Sequence, residues 1–147
     1  MESKNSKEII IRKATWEDHE DISRILQSAF ETKSGSTRRW WNILSDHNVF
    51  PHVVVVDGFI MGTATLYILE KLIHAGGKVG IIEDVAIHEN SRGLGIGKKI
   101  IDHLVEHAEA NNCYKVILSC SEENVGFYEK CGFYNHEITM RKDLFDK

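Results

Sequence analysis

The sequence lacks an excess of basic residues, a secretory signal and any long apolar run. Its 18 lysines and arginines face 22 aspartates and glutamates, which gives a formal net charge of −4. Proteins that work by gripping nucleic acid backbone usually carry the opposite sign, so we expect no nucleic acid partner. The start, MESKNSKE, has no apolar segment, and no apolar run approaches a membrane span. We therefore expect a soluble cytoplasmic protein with no membrane partner.

Cysteine is scarce and has no metal-type spacing. Cys113, Cys120 and Cys131 are odd in number and include no CxxC pair. Reduced thiols in a cytosolic protein are the simplest interpretation. Because no histidine stands at an identifiable partner position, we interpret Cys120 and Cys131 as core residues rather than acyl-carrying nucleophiles.

A zinc-peptidase pattern, H-x-x-E-H, occurs at "HLVEH" (residues 103–107). The helical phase argues against a metal site there. His103, Glu106 and His107 lie on the margin of the apolar stripe of this helix or outside it. The stripe itself consists of Ile100, Ile101, Leu104, Val105 and Ala108. We expect no metal.

The length of 147 residues predicts one domain, residues 1–147, with residues 1 to about 7 as a disordered tail. The periodicities predict the order β-α-α-β-β-β-α-β-α-β. The expected fold class is α/β (an α+β sandwich), in which helices flank a mixed, mostly antiparallel sheet. No repeat, linker or low-complexity region is present.

Local signals define the elements. Thr15 and Asp18 suit a capping box before the first helix. "ETKSGST" predicts a loop, and "RRWWNILSD" predicts a following helix that a tryptophan anchors to the core. "STRRWW" also resembles a single-strand nucleic acid site, which the acidic total makes a weaker interpretation. "HVVVV", "DG" and "FIMGTATLYILEK" predict a hairpin. "KVILSC" predicts a short buried strand, Gly132 a helix C-cap, and "YNHEITMRK" a final strand.

The stretch "NSRGLGIGKKI" (residues 90–100) links a predicted strand to a predicted helix. Unpaired N–H groups at a helix start, together with glycines, favour an anion. Arg92, Lys98 and Lys99 add positive charge. The spacing matches neither the nucleotide triphosphate loop G-x-x-x-x-G-K-[ST] nor the dinucleotide motif G-x-G-x-x-G. A simple glycine-rich helix entry with solvated lysines remains open on these residues alone.

Arg92-Gly93-Leu94-Gly95-Ile96-Gly97 fits R/Q-x-x-G-x-G/A and resembles the acyl-CoA pyrophosphate loop of the GCN5-related N-acetyltransferase (GNAT) superfamily. The blocks "IIEDVAI", "CYKVILSC" and "ENVGFYEKCGF" are similar to those of the eukaryotic glucosamine 6-phosphate N-acetyltransferase family. The resemblance covers roughly residues 53–141. It implies the acyl-CoA N-acyltransferase (GNAT) fold, acetyl-CoA as cosubstrate, and direct acetyl transfer to a sugar amine for UDP-N-acetylglucosamine biosynthesis.

The resemblance also implies a donor site. Backbone N–H groups of the glycine loop are expected to meet the pyrophosphate, the pantetheine arm to lie along β-strand backbone, and Asn124 to bond the arm from the other side. Tyr128 is the expected acid for the departing thiolate, although packing beside Phe127 and Phe133 is the alternative. The expected cofactor-binding residues are Val85, Ala86, Ile87, Arg92, Gly93, Leu94, Gly95, Ile96, Gly97, Lys98, Asn124 and Tyr128.

The N–H group near Val85 is the expected oxyanion contact. Related enzymes carry an acid after the "VIL" strand, where this chain has Ser119, so the proton acceptor is open between water, a backbone carbonyl, Glu83 and Asp84. Glu83 and Asp84 are adjacent, so a regular strand would point them to opposite faces unless a bulge intervenes. The resemblance implies that both contact the sugar.

The expected substrate-binding residues are Glu83, Asp84, Lys71, His74, Ser36, Thr37 and Arg141, with Lys33 beside them on the lip of the pocket. The resemblance implies a sugar phosphate substrate and a homodimer whose two copies share each active site. Two other functions stay open: acetylation of a protein or polyamine amine, and a non-catalytic acyl-CoA-binding module.

Overall fold

The computed structural model describes residues 6–145 and contains one five-stranded sheet in the order β1-β2-β3-β4-β5. Most of the tail expected at residues 1–7 lies outside these residues. The first four strands pair antiparallel, and β4 pairs with β5 in parallel. The strands are β1 Ile9–Lys13, β2 Val49–Val56, β3 Phe59–Glu70, β4 Lys78–Ile87 and β5 Cys113–Ile117.

Helices cover both faces of the sheet. They are α1 His19–Phe30, α2 Thr37–Ser45, the single turn α3 Ile73–Gly76, α4 Ile96–Ala110 and α5 Val125–Lys130. Helices α1 and α2 pack on one face, and α4 packs on the other. The expected sandwich with a mixed, mostly antiparallel sheet is confirmed. Among residues 6–145, no helix has the length and apolar character that a membrane span requires.

The run "HVVVV" in β2 is apolar throughout because both faces of this strand are buried. Val53 packs with Trp40 of α2, and Val54 packs with Leu104 of α4. Trp40 is the predicted tryptophan anchor, and its side chain is 5% exposed. The predicted stripe of α4 also lies in this core, since Ile100, Ile101, Leu104 and Ala108 are fully buried.

Two short turn signals are confirmed. Asp57 and Gly58 have φ of 49° and 87°, so they form the tight turn with two left-handed residues that matches the twist of a β2–β3 hairpin. At the end of α5, Gly132 has φ of 92°. Its N–H donates to the Glu129 carbonyl, and the Phe133 N–H donates to the Tyr128 carbonyl, both at 3.0 Å. This is the glycine cap expected at the end of a helix.

Three expectations near the C-terminus are wrong. "YNHEITMRK" (residues 134–142) forms no strand, because the nearby free sheet edge is β5 and this segment does not pair with it among residues 6–145. Strand β5 itself is an edge, and each of its five residues is half-buried or exposed, so it is not a buried strand. Cys120 is exposed in the loop after β5, whereas Cys131 is half-buried against the core.

Three histidines meet between β2 and α4. The His52 ring lies 5.1 Å from the His103 ring and 5.7 Å from the His107 ring. Burial lowers the pKa of His52 to about 4, although its Nδ1 lies 3.0 Å from the Phe50 carbonyl oxygen, and His103, His107 and Lys13 add unfavourable charge. No group of three or more His, Cys, Asp or Glu side chains in residues 6–145 is arranged to hold a metal ion.

The lowered pKa of His52 predicts that the protein loses stability in mild acid. Its folded pKa of about 4 lies below the unfolded value near 6.5, so only the unfolded chain takes up this proton between these pH values. The free energy of unfolding is therefore expected to fall as pH drops from about 6.5 to about 4, by up to about 1.4 kcal/mol per pH unit. Urea unfolding at pH 7 and pH 5 measures this. The His52→Leu variant should lose much of this pH dependence of stability, whereas the control His47→Leu, at an exposed histidine, should keep it. An unchanged pH dependence in His52→Leu would show that His52 is not its source.

Candidate active site

The glycine stretch joins the end of β4 to the start of α4. Gly95 caps the helix with φ of 74°, and Gly93 has φ of 89°. A Cβ atom added at either residue would meet nothing within 4 Å, so both backbones face open space. The Lys99 N–H donates to the Gly95 carbonyl at 3.2 Å, which leaves the N–H groups of the preceding helical residues without intrahelical acceptors. The stretch has the geometry of an anion-binding helix start.

Side chains of this stretch divide between the core and the surface. Ile96 is 1% exposed and belongs to the core, so only its backbone can face a ligand. The Lys98 ammonium lies 2.7 Å from an Asp102 carboxylate oxygen, which balances much of its charge. Arg92 and Leu94 are exposed. A Cβ at Gly97 would lie 3.2 Å from Phe127, so glycine lets α5 pack closely against the start of α4.

Strand β4 has a free edge beside this stretch. Its parallel pairing with β5 ends at Ile81 opposite Ile117, while β4 continues to Ile87. Residues 82–87 therefore have β3 on one side and no strand formed by residues 6–145 on the other. Exposed N–H and C=O groups on such an edge can bind an extended, amide-containing ligand as an added strand. Val85, Ala86 and Ile87 lie on this edge, as expected.

A β-bulge interrupts β4 at the two acidic residues. The register passes from Thr65 opposite Glu83 to Thr63 opposite Ala86, so β4 carries one more residue than β3 in this stretch. Asp84 has a left-handed φ of 54°, which is uncommon for a residue other than glycine. The bulge removes the strict alternation of side chains, so Glu83 and Asp84 no longer have to face opposite sides of the sheet.

The two carboxylates influence each other and a nearby tyrosine. Burial raises the pKa of Asp84. Burial and the Asp84 charge raise the pKa of Glu83. The pKa of the Tyr67 phenol is raised by burial and then by the charges of Asp84 and Glu83. Both residues are exposed to solvent, so the region is only partly desolvated, but both carboxyls hold protons more tightly than isolated carboxyls do.

A cavity of about 290 Å³ lies against the bulge. Helix α1, the loop between α1 and α2, and the start of α2 form one side of it. Thr63, Thr65 and Tyr67 point into it from β3, and Asp84 reaches it from β4. The lining of the cavity is mostly apolar, with threonine and tyrosine side chains on its β3 side and a carboxylate at one end, and it has room for a small molecule.

Tyr128 lies in α5. It is half-buried beside Phe127 and Phe133, with ring centroids 4.9 Å and 6.0 Å away. Burial raises the pKa of its phenol, and neighbouring Cys120 and Cys131 add to the rise, so the group stays protonated at neutral pH. Its hydroxyl makes no side-chain hydrogen bond to residues 6–145. Asn124 lies in a 3₁₀ turn just before α5 rather than in the predicted helix itself.

Only some of the expected acceptor residues line the cavity. Asp84, Ser36 and Lys33 do, whereas Glu83, Lys71, His74, Thr37 and Arg141 do not. The His74 ring instead lies 4.4 Å from the Tyr114 ring, in a turn where His74 has a φ of 53°. The Arg141 guanidinium donates to an Asp143 carboxylate oxygen at 2.8 Å. Within one chain, the expected cationic residues are therefore not assembled around the cavity.

Sequence reasoning missed several residues of the cavity. Thr63, Thr65 and Tyr67 were detectable, because polar residues at every second position of a predicted strand share one face. Arg39 lines the cavity, although its segment "STRRWW" indicates only a helix or a nucleic acid site. His19 had no local signal; it reaches the cavity because α1 packs over β3 and β4.

Ser119 follows β5, at the position where the resemblance implies an acid. Its hydroxyl lies 3.0 Å from the Thr139 hydroxyl, so the loop after β5 contacts the C-terminal segment there. This position supplies no carboxylate. Glu83 and Asp84 are the acidic side chains that the structure brings to the bulge of β4.

Comparison with known proteins agrees with this geometry. The glucosamine 6-phosphate N-acetyltransferase of Candida albicans is 44% identical over 91 residues, which cover 61% of this chain and 61% of that protein. A second relative, glucosamine 6-phosphate N-acetyltransferase 1 of Dictyostelium discoideum, is 35% identical over 124 residues, covering 82% and 78%. The match to the Candida protein thus spans about three fifths of its length.

A crystal structure of glucosamine-6-phosphate N-acetyltransferase from Arabidopsis thaliana superposes with a TM-score of 0.87 at 36% identity, over 95% of this chain and 99% of that one. A Trypanosoma brucei acetyltransferase superposes with a TM-score of 0.85 at 35% identity, covering 93% and 100%. The model of the Acetyltransferase (GNAT) family matches residues 11–133. The chain therefore belongs to the GNAT family of acetyltransferases.

Proposed function

We propose that the chain is a glucosamine 6-phosphate N-acetyltransferase, which moves the acetyl group of acetyl-CoA to the 2-amino group of the sugar by direct attack. One observation carries the proposal: the free edge of β4 and the cavity meet at the same bulge, where Asp84 lines the cavity. A donor on the edge and an amine in the cavity would then face each other. We further propose one domain over residues 1–147, acting in the cytoplasm in UDP-N-acetylglucosamine biosynthesis.

On the donor side, the chain offers a cradle and an edge. Acetyl-CoA supplies an activated acetyl thioester. The backbone at Gly93 and Gly95, with the first N–H groups of α4, suits its pyrophosphate because space is open there and the helix dipole favours negative charge. Ala86 and Ile87 offer backbone groups to the amide-containing arm. Asn124 would bond this arm from the opposite side.

On the acceptor side, Asp84 and Glu83 orient the amine and accept its proton. Their raised pKa values make them better proton acceptors than ordinary carboxylates. The reaction needs only a weak base, because an amine flanked by oxygens has a pKa near the α-amino value of roughly 7.7–8.0 and is partly neutral at pH 7. The hydroxyl at Ser119 is therefore compatible with the reaction.

Two groups stabilise the charges that develop during transfer. The Val85 N–H lies in the bulge, outside the regular β3–β4 pairing, and would donate to the carbonyl oxygen as it becomes negative. Tyr128, protonated at neutral pH, would donate to the departing thiolate sulfur. With the acids beside the amine, the Val85 N–H at the oxyanion and Tyr128 at the sulfur, the acetyl group passes directly to the amine. No covalent enzyme intermediate is needed.

The chain is also proposed to work as a homodimer with shared active sites. Its C-terminal segment, residues 134–145, exposes Ile138, Met140 and Leu144 at 86%, 88% and 76%. The outer edge of β5 has no partner strand among residues 6–145. Exposed apolar residues beside a free strand edge are typical of surfaces that a second chain covers.

The dimer predicts a specific change in mass. Ile138→Glu and Met140→Glu together are expected to convert a two-chain particle into single chains, because two carboxylates in a buried interface are strongly unfavourable. Analytical ultracentrifugation at micromolar concentration measures the mass. Phe59→Glu, at an exposed position of the β2–β3 hairpin, is the matched control and should leave the dimer intact. A wild-type chain that sediments as a monomer would refute this part.

An acceptor panel tests the proposed function. The purified chain is incubated with acetyl-CoA and, separately, with glucosamine 6-phosphate, a lysine peptide and a polyamine, and free thiol is followed. We expect the sugar phosphate to give by far the highest kcat/KM. If the chain preferred the peptide or the polyamine, the proposed sugar acceptor would be wrong. If it bound acetyl-CoA tightly without turnover, it would be a binding module.

A further inference from the structure

Tyr67 brings a phenol to the cavity from the sheet. It lies in β3 opposite Ile81 of β4. It shares one face of β3 with Thr63 and Thr65, because side chains at every second position of a strand point to the same side. All three residues line the cavity. Their hydroxyls are the polar groups that β3 presents on this face.

The Tyr67 hydroxyl is the one of these three that is free to bind a ligand. The Thr63 hydroxyl donates to the His52 carbonyl oxygen at 2.9 Å. Thr65 is only 7% exposed, so little of its side chain can reach a bound molecule. Tyr67 is half-buried, and its hydroxyl makes no hydrogen bond to any group of residues 6–145. A buried phenol normally has a partner for its hydroxyl, so this one is placed to bond a ligand.

The charges around Tyr67 determine which kind of group it can bind. Burial, and then the charges of Asp84 and Glu83, raise the pKa of its phenol, so the phenol keeps its proton at neutral pH and acts as a donor. The same two carboxylates repel an anion from this part of the cavity. A cationic group would bind the carboxylates in preference to the uncharged phenol. The partner that suits Tyr67 is therefore a neutral oxygen, such as a hydroxyl.

Tyr67 and Asp84 start from different points along the cavity. Thr65 pairs with Glu83, so Tyr67 lies two residues further along β3 and Asp84 lies one residue further along β4 in the opposite direction. At about 3.3 Å per residue, their Cα atoms are offset by roughly 10 Å along the strands. The long tyrosine side chain covers part of this distance. Its hydroxyl and the Asp84 carboxylate can therefore contact two different substituents of one small ring.

We propose that Tyr67 determines acceptor specificity: its hydroxyl donates a hydrogen bond to a ring hydroxyl of the acceptor while the amine of the same molecule lies beside Asp84. The inference rests on the proposed function. A site built to bond a hydroxyl rejects a molecule that lacks it, because the protein group is then left without a partner. Tyr67 thus makes the chain prefer an amino sugar to an alkyl amine, such as a polyamine or a lysine side chain.

The experiment combines Tyr67→Phe with analogues of glucosamine 6-phosphate that lack the 1-, 3- or 4-hydroxyl. Tyr67→Phe is expected to lower kcat/KM for glucosamine 6-phosphate by about tenfold, mainly through a higher KM, because it removes one hydrogen bond. For one of the analogues, the wild type should already show this loss and Tyr67→Phe should add nothing to it. KM for acetyl-CoA and the melting temperature should stay the same, because the aromatic ring remains. Tyr134→Phe, at an exposed tyrosine, is the matched control.

Three results would overturn the inference: no loss with glucosamine 6-phosphate, the same further loss with all three analogues, or an equal loss in Tyr134→Phe. Binding of the sugar phosphate and its analogues in the presence of CoA is measured in parallel by calorimetry. If the wild type binds glucosamine 6-phosphate but does not acetylate it, the proposed function fails, and the same comparison of affinities decides the role of Tyr67. If the wild type does not bind this sugar phosphate, the role of Tyr67 is refuted as well.

Discussion

Tyr128→Phe is expected to lower kcat by about a hundredfold while the Kd for acetyl-CoA changes by less than about threefold. The hydroxyl is the only group removed, and general acid catalysis contributes on the order of 10²–10⁴ in rate. The ring keeps its contacts with Phe127 and Phe133, so the fold of α5 should not change. Stopped-flow thiol release gives the rate, and calorimetry gives the affinity.

The control for this variant is Tyr134→Phe, which removes a hydroxyl from an exposed tyrosine six residues further along the chain. It should leave both quantities unchanged. If Tyr128→Phe weakened acetyl-CoA binding as much as it slowed turnover, the hydroxyl would be a binding group. If it changed neither, Tyr128 would serve packing alone.

Gly95→Val is expected to raise the Kd for acetyl-CoA by tenfold or more and to destabilise the chain by about 1–2 kcal/mol. The loss of stability follows from φ of 74°, since left-handed backbone is unfavourable for residues with a Cβ, and more so for a branched one. The loss of affinity follows from position, because the new side chain would fill the open space proposed for the pyrophosphate. Thermal unfolding and calorimetry measure the two effects.

Gly58→Val separates the two effects. Gly58 has φ of 87°, and a Cβ there also meets nothing within 4 Å, but it lies in the β2–β3 turn. It should lose similar stability and keep its affinity for acetyl-CoA. An equal loss of affinity in both variants would mean that strain alone weakens binding and that Gly95 does not belong to a cradle.

Much of the fold follows from local sequence. The apolar stripe of α4, the Asp57-Gly58 turn and the Gly132 cap are each determined by neighbouring residues, and the structure has all three. The prediction of a final strand was wrong because strand formation does not depend on local sequence alone. Residues 134–142 have the composition of a strand, but a strand also needs a partner, and sequence pattern does not reveal whether one is available in the same chain.

The site was only partly predictable. The glycine loop is local, so its position between β4 and α4 could be expected from the motif. The bulge at Asp84 could not, because it depends on the register between β3 and β4, which no short motif determines. The cavity brings together α1, α2 and three strands, so Arg39 and His19 became site candidates only once these elements were packed.

Released thiol and acetylated sugar can be counted together in a mixture of the chain, acetyl-CoA and glucosamine 6-phosphate. If the chain acetylates this sugar, we expect one thiol for each molecule of N-acetylglucosamine 6-phosphate found by mass spectrometry, at a rate that rises with sugar concentration until it saturates. Thiol release at the same slow rate with and without the sugar, and no acetylated sugar, would contradict this expectation.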